Sequence, residues 1–427
     1  MAKGRVIASL ELGSSKIATL IASVTTEEIT GETSINIVGA SSAPSKGIRK
    51  GQIVDIEETV EAVVASVEAA ERMAGYNLES AFVSLGGAHI ASQNSHGVVA
   101  VADPAGEITP QDVDRVIEAA SAISLPQSRE VIHVIPREFV VDGESGVKDP
   151  IGMSGVRLEV ETHIVTAASP AVKNITKAVQ EVGITTEDLV FSGFAAAEAT
   201  LSSTEKELGC VLIDIGGGTT SVAVFIEGAL AYSSVIPVGA RNVTNDLAIG
   251  LRVSLETAEK IKLALSESDA KKSRSKPEEE TDTLELKEIG ITEVKKVSKK
   301  TLIEGIIRPR LNEIFTMVKL ELEKENLGTR VPSGVILTGG GAETVGVHDS
   351  ARRILTLPVR IGSPVGVGGL TDDILTPAFA TPIGLIIYGS KMETKEKGFG
   401  GFFPKKIKLP NAGFAGKLFD AVKNLLP

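Results

Sequence analysis

Tryptophan is absent from the 427 residues, and aromatic side chains together make up only 4%. With a formal net charge of −11, the chain lacks both the basic face and the stacking rings on which nucleic-acid binding draws. One cysteine is present, Cys210. It can form no internal disulfide, and its apolar run, Cys210-Val-Leu-Ile213, reads as core in a chain kept in reducing cytoplasm. No stretch reaches the roughly 18 uninterrupted apolar residues of a membrane span. The first apolar stretch, broken by Glu11, is wrong for a secretion signal. The five histidines show neither an H-E-x-x-H pattern nor paired metal-ligand spacing, and most of them read as surface or loop residues. A G-x-S-x-G nucleophile turn is missing, and the glycine turns carry neither a Walker A nor a Rossmann pattern.

What is present is a globular composition, 42% hydrophobic and 23% charged, long enough for two lobes or about three domains. Strands are expected over 5–12, 16–23 and 34–40, then a helix over 56–74 with apolar positions Val60, Val63, Val64, Val67 and Ala70. Residues 81–166 read as a small α+β block with one helix near 110–122. Helices over 170–182 and 195–201 flank a strand at 188–191, after which the opening pattern restarts with strands over 210–215 and 220–226. Two strand–turn–strand openings about 200 residues apart suggest an internal duplication. A charged, polar stretch between Asp269 and Asp282 reads as a surface loop, followed by a long helix over 300–325 and a strand over 334–337.

Three glycine turns follow strands. Asp214-Ile-Gly216-Gly217-Gly218-Thr219-Thr220 sets a carboxylate at a strand end and leaves backbone amides open to phosphate oxygens, with hydroxyls at Thr219 and Thr220. Glu11-Leu-Gly13-Ser14-Ser15-Lys16 repeats the design and adds a lysine. Alone, each is only a hairpin. Facing one another, they would clamp a polyphosphate, with Glu11 and Asp214 holding Mg2+ through water. The third turn, Gly339, Gly340, Gly341 and Ala342, offers a flat backbone surface for adenine, and Glu259 and Lys262, three apart on one helix face, would meet the ribose.

The order of these turns resembles the actin, heat-shock-chaperone and sugar-kinase superfamily. Within it, the chain is most similar to the bacterial cell-division family FtsA, on Pro44-Ser-Lys-Gly47-Ile, His133-Val-Ile-Pro136-Arg-Glu-Phe139, Gly152-Met-Ser-Gly155-Val-Arg157-Leu, Arg360-Ile-Gly362 and Gly369-Leu-Thr-Asp372. The resemblance implies an α/β, actin-like ATPase fold with two duplicated lobes, an FtsA-type inserted subdomain and a C-terminal amphipathic helix. It implies subdomain 1A over 1–83, 167–200 and 381–390, and 1C over 84–166. Subdomain 2A would take 201–242 and 303–380, and 2B 243–302. A linker over 391–410 and a membrane-targeting helix over 411–427 would follow.

Hydrolysing chaperones place a catalytic glutamate ahead of their alanine-rich hinge helix, whereas this chain has Ser192-Gly193-Phe194 there. With no general base in that place, the expectation is ATP binding with slow or assembly-dependent hydrolysis.

The last segment changes character. Residues 391–427 carry eight lysines against three acidic residues, and 391–410 read as a flexible tether. Beyond Asn411, Phe414, Leu418, Phe419, Val422, Leu425 and Leu426 fall on one helical stripe, with Lys417 and Lys423 opposite. A basic amphipathic helix on a tether, in an otherwise acidic chain, suits an anionic leaflet.

The resemblance further implies binding of the tail of the tubulin-like protein FtsZ, self-association into filaments, contact with downstream division proteins, and a peripheral position inside the plasma membrane at the division site. Lys299, Lys300, Arg308 and Arg310 are candidates for that tail by position. Another actin-like scaffold, of pilus-assembly or cell-shape type, and a sugar-kinase-like enzyme are the alternatives.

Overall fold

The computed structural model describes residues 3–27, 33–272, 282–285, 296–370 and 373–395. The expected membrane helix, with Phe414, Lys417, Leu418, Phe419, Val422, Lys423, Leu425 and Leu426, lies outside these residues, as do most of the tether and most of the polar loop before Asp282.

The chain forms two compact units. The first comprises the described residues of Met1–Asn94, Ser124–His133 and His163–Gly400. It holds two sheets of matching design. One has the strand order Thr185–Phe191, Ser80–Leu85, Lys3–Leu12, Lys16–Thr26, Thr33–Pro44, with Gly368–Gly369 at its edge. The other runs Val359–Ile361, Val335–Thr338, Cys210–Ile215, Thr220–Ile226, Ala229–Ile236.

In both sheets an antiparallel meander of three strands is extended by two parallel ones beside its first strand. The duplication read from sequence is thus a duplication of topology. The central strands are buried on both faces, and their side chains form near-continuous apolar runs: Ile17, Ala18, Leu20, Ile21 and Ala22 have no exposed surface. So do Cys210, Val211, Leu212 and Ile213.

The helix Ile56–Ala74 has the expected bounds. Asp55 caps it by accepting the Glu58 N–H at 3.0 Å, and Gly75 ends it at φ 65°. Of the expected stripe, Val63, Val67 and Ala70 are buried and Val60 and Val64 half-buried, and the small residues Thr59, Ala62 and Ser66 complete the buried face. Small residues win because the helix lies close to the sheet: a side chain on Gly39 would fall 2.6 Å from the Ala70 carbonyl.

The long helix near residue 300 is composite: Lys299–Leu302, a π segment Ile303–Ile307, and Arg308–Lys324. Pro309 has no N–H for the Gly305 carbonyl and its ring crowds that oxygen, and one wider turn absorbs the conflict.

The last helix, Ala380–Lys395, corrects the expected start of the tether at 391. Ile383, Leu385, Ile386 and Tyr388 are fully buried, and Lys391 pairs with Glu198, whose side chain is 5% exposed. The lysine that suggested a linker closes a buried charge. None of the helices among the described residues is long and apolar enough to cross a membrane.

The second unit takes in the described residues of Ser95–Ile123 and Val134–Thr162. Its core joins Ile108, Val113, Val116 and Ala120, on or beside the helix Pro110–Ser121, to Phe139, Val141, Leu158 and Val160 from the strands. Thr109 and Asp112 form a reciprocal capping box at the helix start.

Candidate functional site

The two glycine turns close in the same way. Gly13 N–H donates to the Lys16 carbonyl at 3.1 Å, and Gly216 N–H to the Thr219 carbonyl at 2.9 Å. They also meet face to face. A side chain on Gly217 would fall 2.7 Å from Ser15 Cβ, and one on Gly218 would fall 2.8 Å from Ser14 Oγ. Only glycine permits this approach. The stretch 45–51 braces the first turn: Gly51 N–H donates to Ser14 Oγ at 2.9 Å, and Ser45 N–H to the Ser15 carbonyl at 3.0 Å. The second turn is fixed to the start of the helix Ala240–Leu251, whose Ala240 and Arg241 N–H groups donate to Gly216 and Gly217 carbonyls at 2.9 and 2.8 Å.

The third turn lies flush against the strand that carries Asp214. Gly339 has φ 79°, and a side chain there would fall 2.2 Å from Asp214 Oδ1. One on Gly341 would fall 2.3 Å from Ile215 Cγ2. On the facing helix, Leu255–Lys272, Lys262 Nζ lies 2.8 Å from Glu259 Oε2 and donates to Thr244 Oγ1 at 3.0 Å. Thr244 in turn donates to Glu259 at 2.5 Å.

All three turns and this helix line one cleft of about 1340 Å³. Glu11, Gly13, Ser14, Ser15, Lys16, Asp214, Gly216, Gly217, Gly218, Thr219, Glu259, Lys262, Gly339, Gly340, Gly341 and Ala342 are all on its wall. Thr220 is not among the lining residues: it is fully buried and its hydroxyl donates to the Val238 carbonyl at 2.8 Å. Sequence reading passed over Arg241, Thr244, Glu343 and Thr381, which also line the cleft. A single arginine or threonine carries no motif, and only the convergence of distant segments singles it out.

The electrostatics are uneven. Burial, and then the charge of Glu11, lift the Asp214 carboxyl to about 7, against a partial stabilisation by Thr381, whose hydroxyl donates to Oδ2 at 3.3 Å. Lys16 Nζ is 3.3 Å from Glu11 Oε2, an ion pair without hydrogen-bond geometry, and stands 3.7 Å over the Phe379 ring. Glu11 Oε2 is buried and meets no hydrogen-bond donor among the described residues. Two carboxylates crowded this way, one of them resisting ionisation, fit a hard divalent cation that keeps waters and takes few protein ligands. Where a general base was sought, Ser192 and Ser221 face the cleft with their hydroxyls 3.1 Å apart.

The remaining candidates lie away from the cleft wall. Arg310 binds Asp246 through Nε and Nη2 at 2.6 and 3.0 Å and also pairs with Glu313. Arg308 pairs with Glu304 at 2.5 Å. Backbone N–H groups of Lys299 and Lys300 bond the Asp282 carbonyl and Oδ1, at 2.7 and 2.9 Å.

Comparison with known proteins finds two family matches: residues 87–166 fit the family described as an SHS2 domain inserted in FTSA, and residues 211–384 fit cell division protein FtsA. The cell division protein FtsA of Pseudomonas aeruginosa strain PAO1 is 38% identical over 391 residues, covering 92% of this chain and 91% of the relative. That of Escherichia coli K12 is 33% identical, covering 91% of each.

Among solved structures, the PilM–PilN type IV pilus biogenesis complex aligns with a TM-score of 0.61 at 16% identity, over 90% of this chain and 98% of the other. MreB5 of Spiroplasma citri bound to ADP aligns with 0.52 at 16% identity, over 92% and 99%. At such identities these two speak for the fold alone.

Proposed function

The chain belongs to the FtsA family of cell-division proteins and has its actin-like ATPase fold, and from that premise we propose that it binds ATP in the cleft and tethers FtsZ filaments to the membrane. The observation that carries the nucleotide half is the face-to-face contact of two glycine turns drawn from segments about 200 residues apart. Phosphates would lie between Gly13–Lys16 and Gly216–Thr219, ribose beside Glu259 and Lys262, and adenine against Gly339–Ala342. Glu11 and Asp214 would hold Mg2+ through water, and the cation would supply charge neutralisation at the phosphates. Ser192, at the start of the helix Ser192–Thr200, and Ser221, on the strand Thr220–Ile226, would orient a water by hydrogen bonding but cannot take its proton at neutral pH. Hydrolysis is therefore slow or waits on assembly. Rapid steady turnover by monomer would overturn this.

Recruitment of FtsZ through an acidic tail peptide is the second half. Arg308 and Arg310 already hold carboxylates of their own chain, so a peptide gains from them only by partner exchange. Lys300 is exposed, and Lys300→Glu tests the surface without breaking the Arg310–Asp246 pair. Co-sedimentation with an FtsZ tail peptide should fall several-fold in that variant. Absence of any binding by the unaltered chain would remove the FtsZ reading and leave a different actin-like scaffold. Attachment to an anionic leaflet, through Phe414, Leu418, Phe419, Val422, Leu425 and Leu426, with Lys417 and Lys423, rests on the sequence pattern. The proposal includes self-association, which multiplies these contacts, and recruitment of later division proteins.

A further inference from the structure

Three cations line the cleft among the described residues: Lys16, Lys262 and Arg241. Two are already neutralised. Lys16 stands 3.3 Å from Glu11 Oε2 and over the Phe379 ring, while Lys262 lies 2.8 Å from Glu259 Oε2. Arg241 differs. Among the described residues no carboxylate pairs with it, and it remains exposed. Its Nη1 donates to the backbone carbonyl of Ser14 at 3.3 Å, which leaves four of the five guanidinium N–H donors without such a bond.

Its place is equally specific. The backbone N–H of Arg241 donates to the Gly217 carbonyl at 2.8 Å, so the residue is rooted on the second glycine turn. Its side chain reaches the carbonyl of Ser14 on the first. Those turns touch through Gly217 and Gly218 against Ser15 and Ser14. A planar, permanently charged fork at that seam matches two of the three free oxygens of a terminal phosphate, where a lysine already bound to a carboxylate offers little net charge.

We propose that Arg241, rather than Lys16, is the cation of this cleft that engages the terminal phosphate of the bound nucleotide, and that it thereby makes the site prefer a triphosphate over a diphosphate. The proposal rests on the nucleotide reading above. In binding, the guanidinium spans from the second turn to the first and adds a bond to ligand on the way.

Calorimetric titration of the full chain with ATP and with ADP, each with Mg2+, tests it. Arg241→Ala should weaken ATP roughly 10- to 100-fold, the cost of one charge-assisted contact, and ADP by less than about 3-fold, because ADP lacks the group that is read. Arg241→Lys should fall between, keeping charge without the fork. Because the backbone N–H makes the bond to Gly217, the truncation keeps that anchor, and an unchanged melting temperature without nucleotide checks it. If Arg241→Ala does not fold, Arg241→Gln takes its place with the same expected ratio. Equal weakening of ATP and ADP, or no change in either, overturns the assignment while leaving nucleotide binding intact. No binding of either nucleotide by the unaltered chain overturns the nucleotide reading and this proposal with it.

Discussion

Asp214 stands on the cleft wall opposite Glu11, and burial with that second charge lifts its pKa to about 7. The folded value thus exceeds the unfolded one of roughly 3.9. The native state holds the proton more tightly, so stability falls as pH rises from about 4 to 7 and the loss is complete above that. Asp214→Asn should therefore raise unfolding free energy by on the order of 1–3 kcal/mol at pH 8 without nucleotide, while Mg2+-dependent ATP affinity drops at least tenfold. Thermal melts at pH 5 and pH 8 check the first half: a variant no more stable than the parent at pH 8 contradicts it. Stability given up at a carboxylate pair is what the proposed cation site would cost the protein without its ligand.

His133 behaves in the opposite sense. It is buried, its Nε2 accepts the Phe191 N–H at 3.0 Å, and burial lowers its pKa to about 4. The Phe194 and Tyr388 rings pack edge-on to it, at 5.6 and 6.2 Å between centroids, and the residue is 1% exposed. The native chain refuses a proton that the unfolded chain accepts, so stability is whole above about pH 6.5 and declines toward pH 4, by about 1.4 kcal/mol per unit. His133→Gln keeps an acceptor and cannot titrate. Its urea midpoint should change less between pH 7 and pH 5 than the parent's, and parallel profiles would refute the assignment. The sequence reads most histidines as surface or loop residues, and His133, being buried, departs from that; its burial is not legible because the Phe191 amide that it serves lies 58 positions away.

At the scale of elements, the last helix shows how tightly the first unit is assembled. A side chain on Gly384 would fall 1.8 Å from the Ala195 carbonyl, in the helix Ser192–Thr200 that begins at the cleft. Gly384→Ala must separate two helices and should cost about 3 kcal/mol or more. Gly305→Ala, where no atom of the described residues beyond the helix's own backbone lies within 4 Å of the added carbon, should be neutral or stabilise by up to about 1 kcal/mol. Denaturant midpoints of the pair decide the matter, since equal costs would mean that the contact is not what fixes Gly384.

Elements were legible where hydrophobic pattern and punctuation agreed. Cys210–Ile215 and Thr220–Ile226 have the expected bounds because an apolar run stops at a glycine turn. The strand Ala91–Ala100 was missed: it is polar, and only Gly97 is buried. That glycine is required because a side chain would meet the Val116 carbonyl at 2.4 Å, a constraint no local pattern encodes. The site was legible to the same degree. Glycine turns announced themselves, whereas Arg241 and Thr244 acquire meaning only once the helix Ala240–Leu251 meets those turns.

For the whole molecule, the proposed attachment sets a weak anchor against an unfavourable field. The chain has a net charge of −11, yet residues 391–427 carry eight lysines and three acidic residues, so the body is repelled by an anionic leaflet while the tail is drawn to it. Six apolar side chains on the proposed helix give at most about 9–18 kcal/mol on full burial. Interfacial burial is partial, and ordering each residue costs about 1–2 kcal/mol. One tail therefore binds marginally, and several joined by self-association bind firmly. Sedimentation with anionic vesicles should rise steeply once protein concentration passes the threshold for assembly, and it should weaken as salt rises. Phe419→Glu should abolish it on both sides of that threshold. A simple hyperbolic curve with no threshold would show that single tails suffice, and undiminished binding by Phe419→Glu would show that the tail is not the anchor.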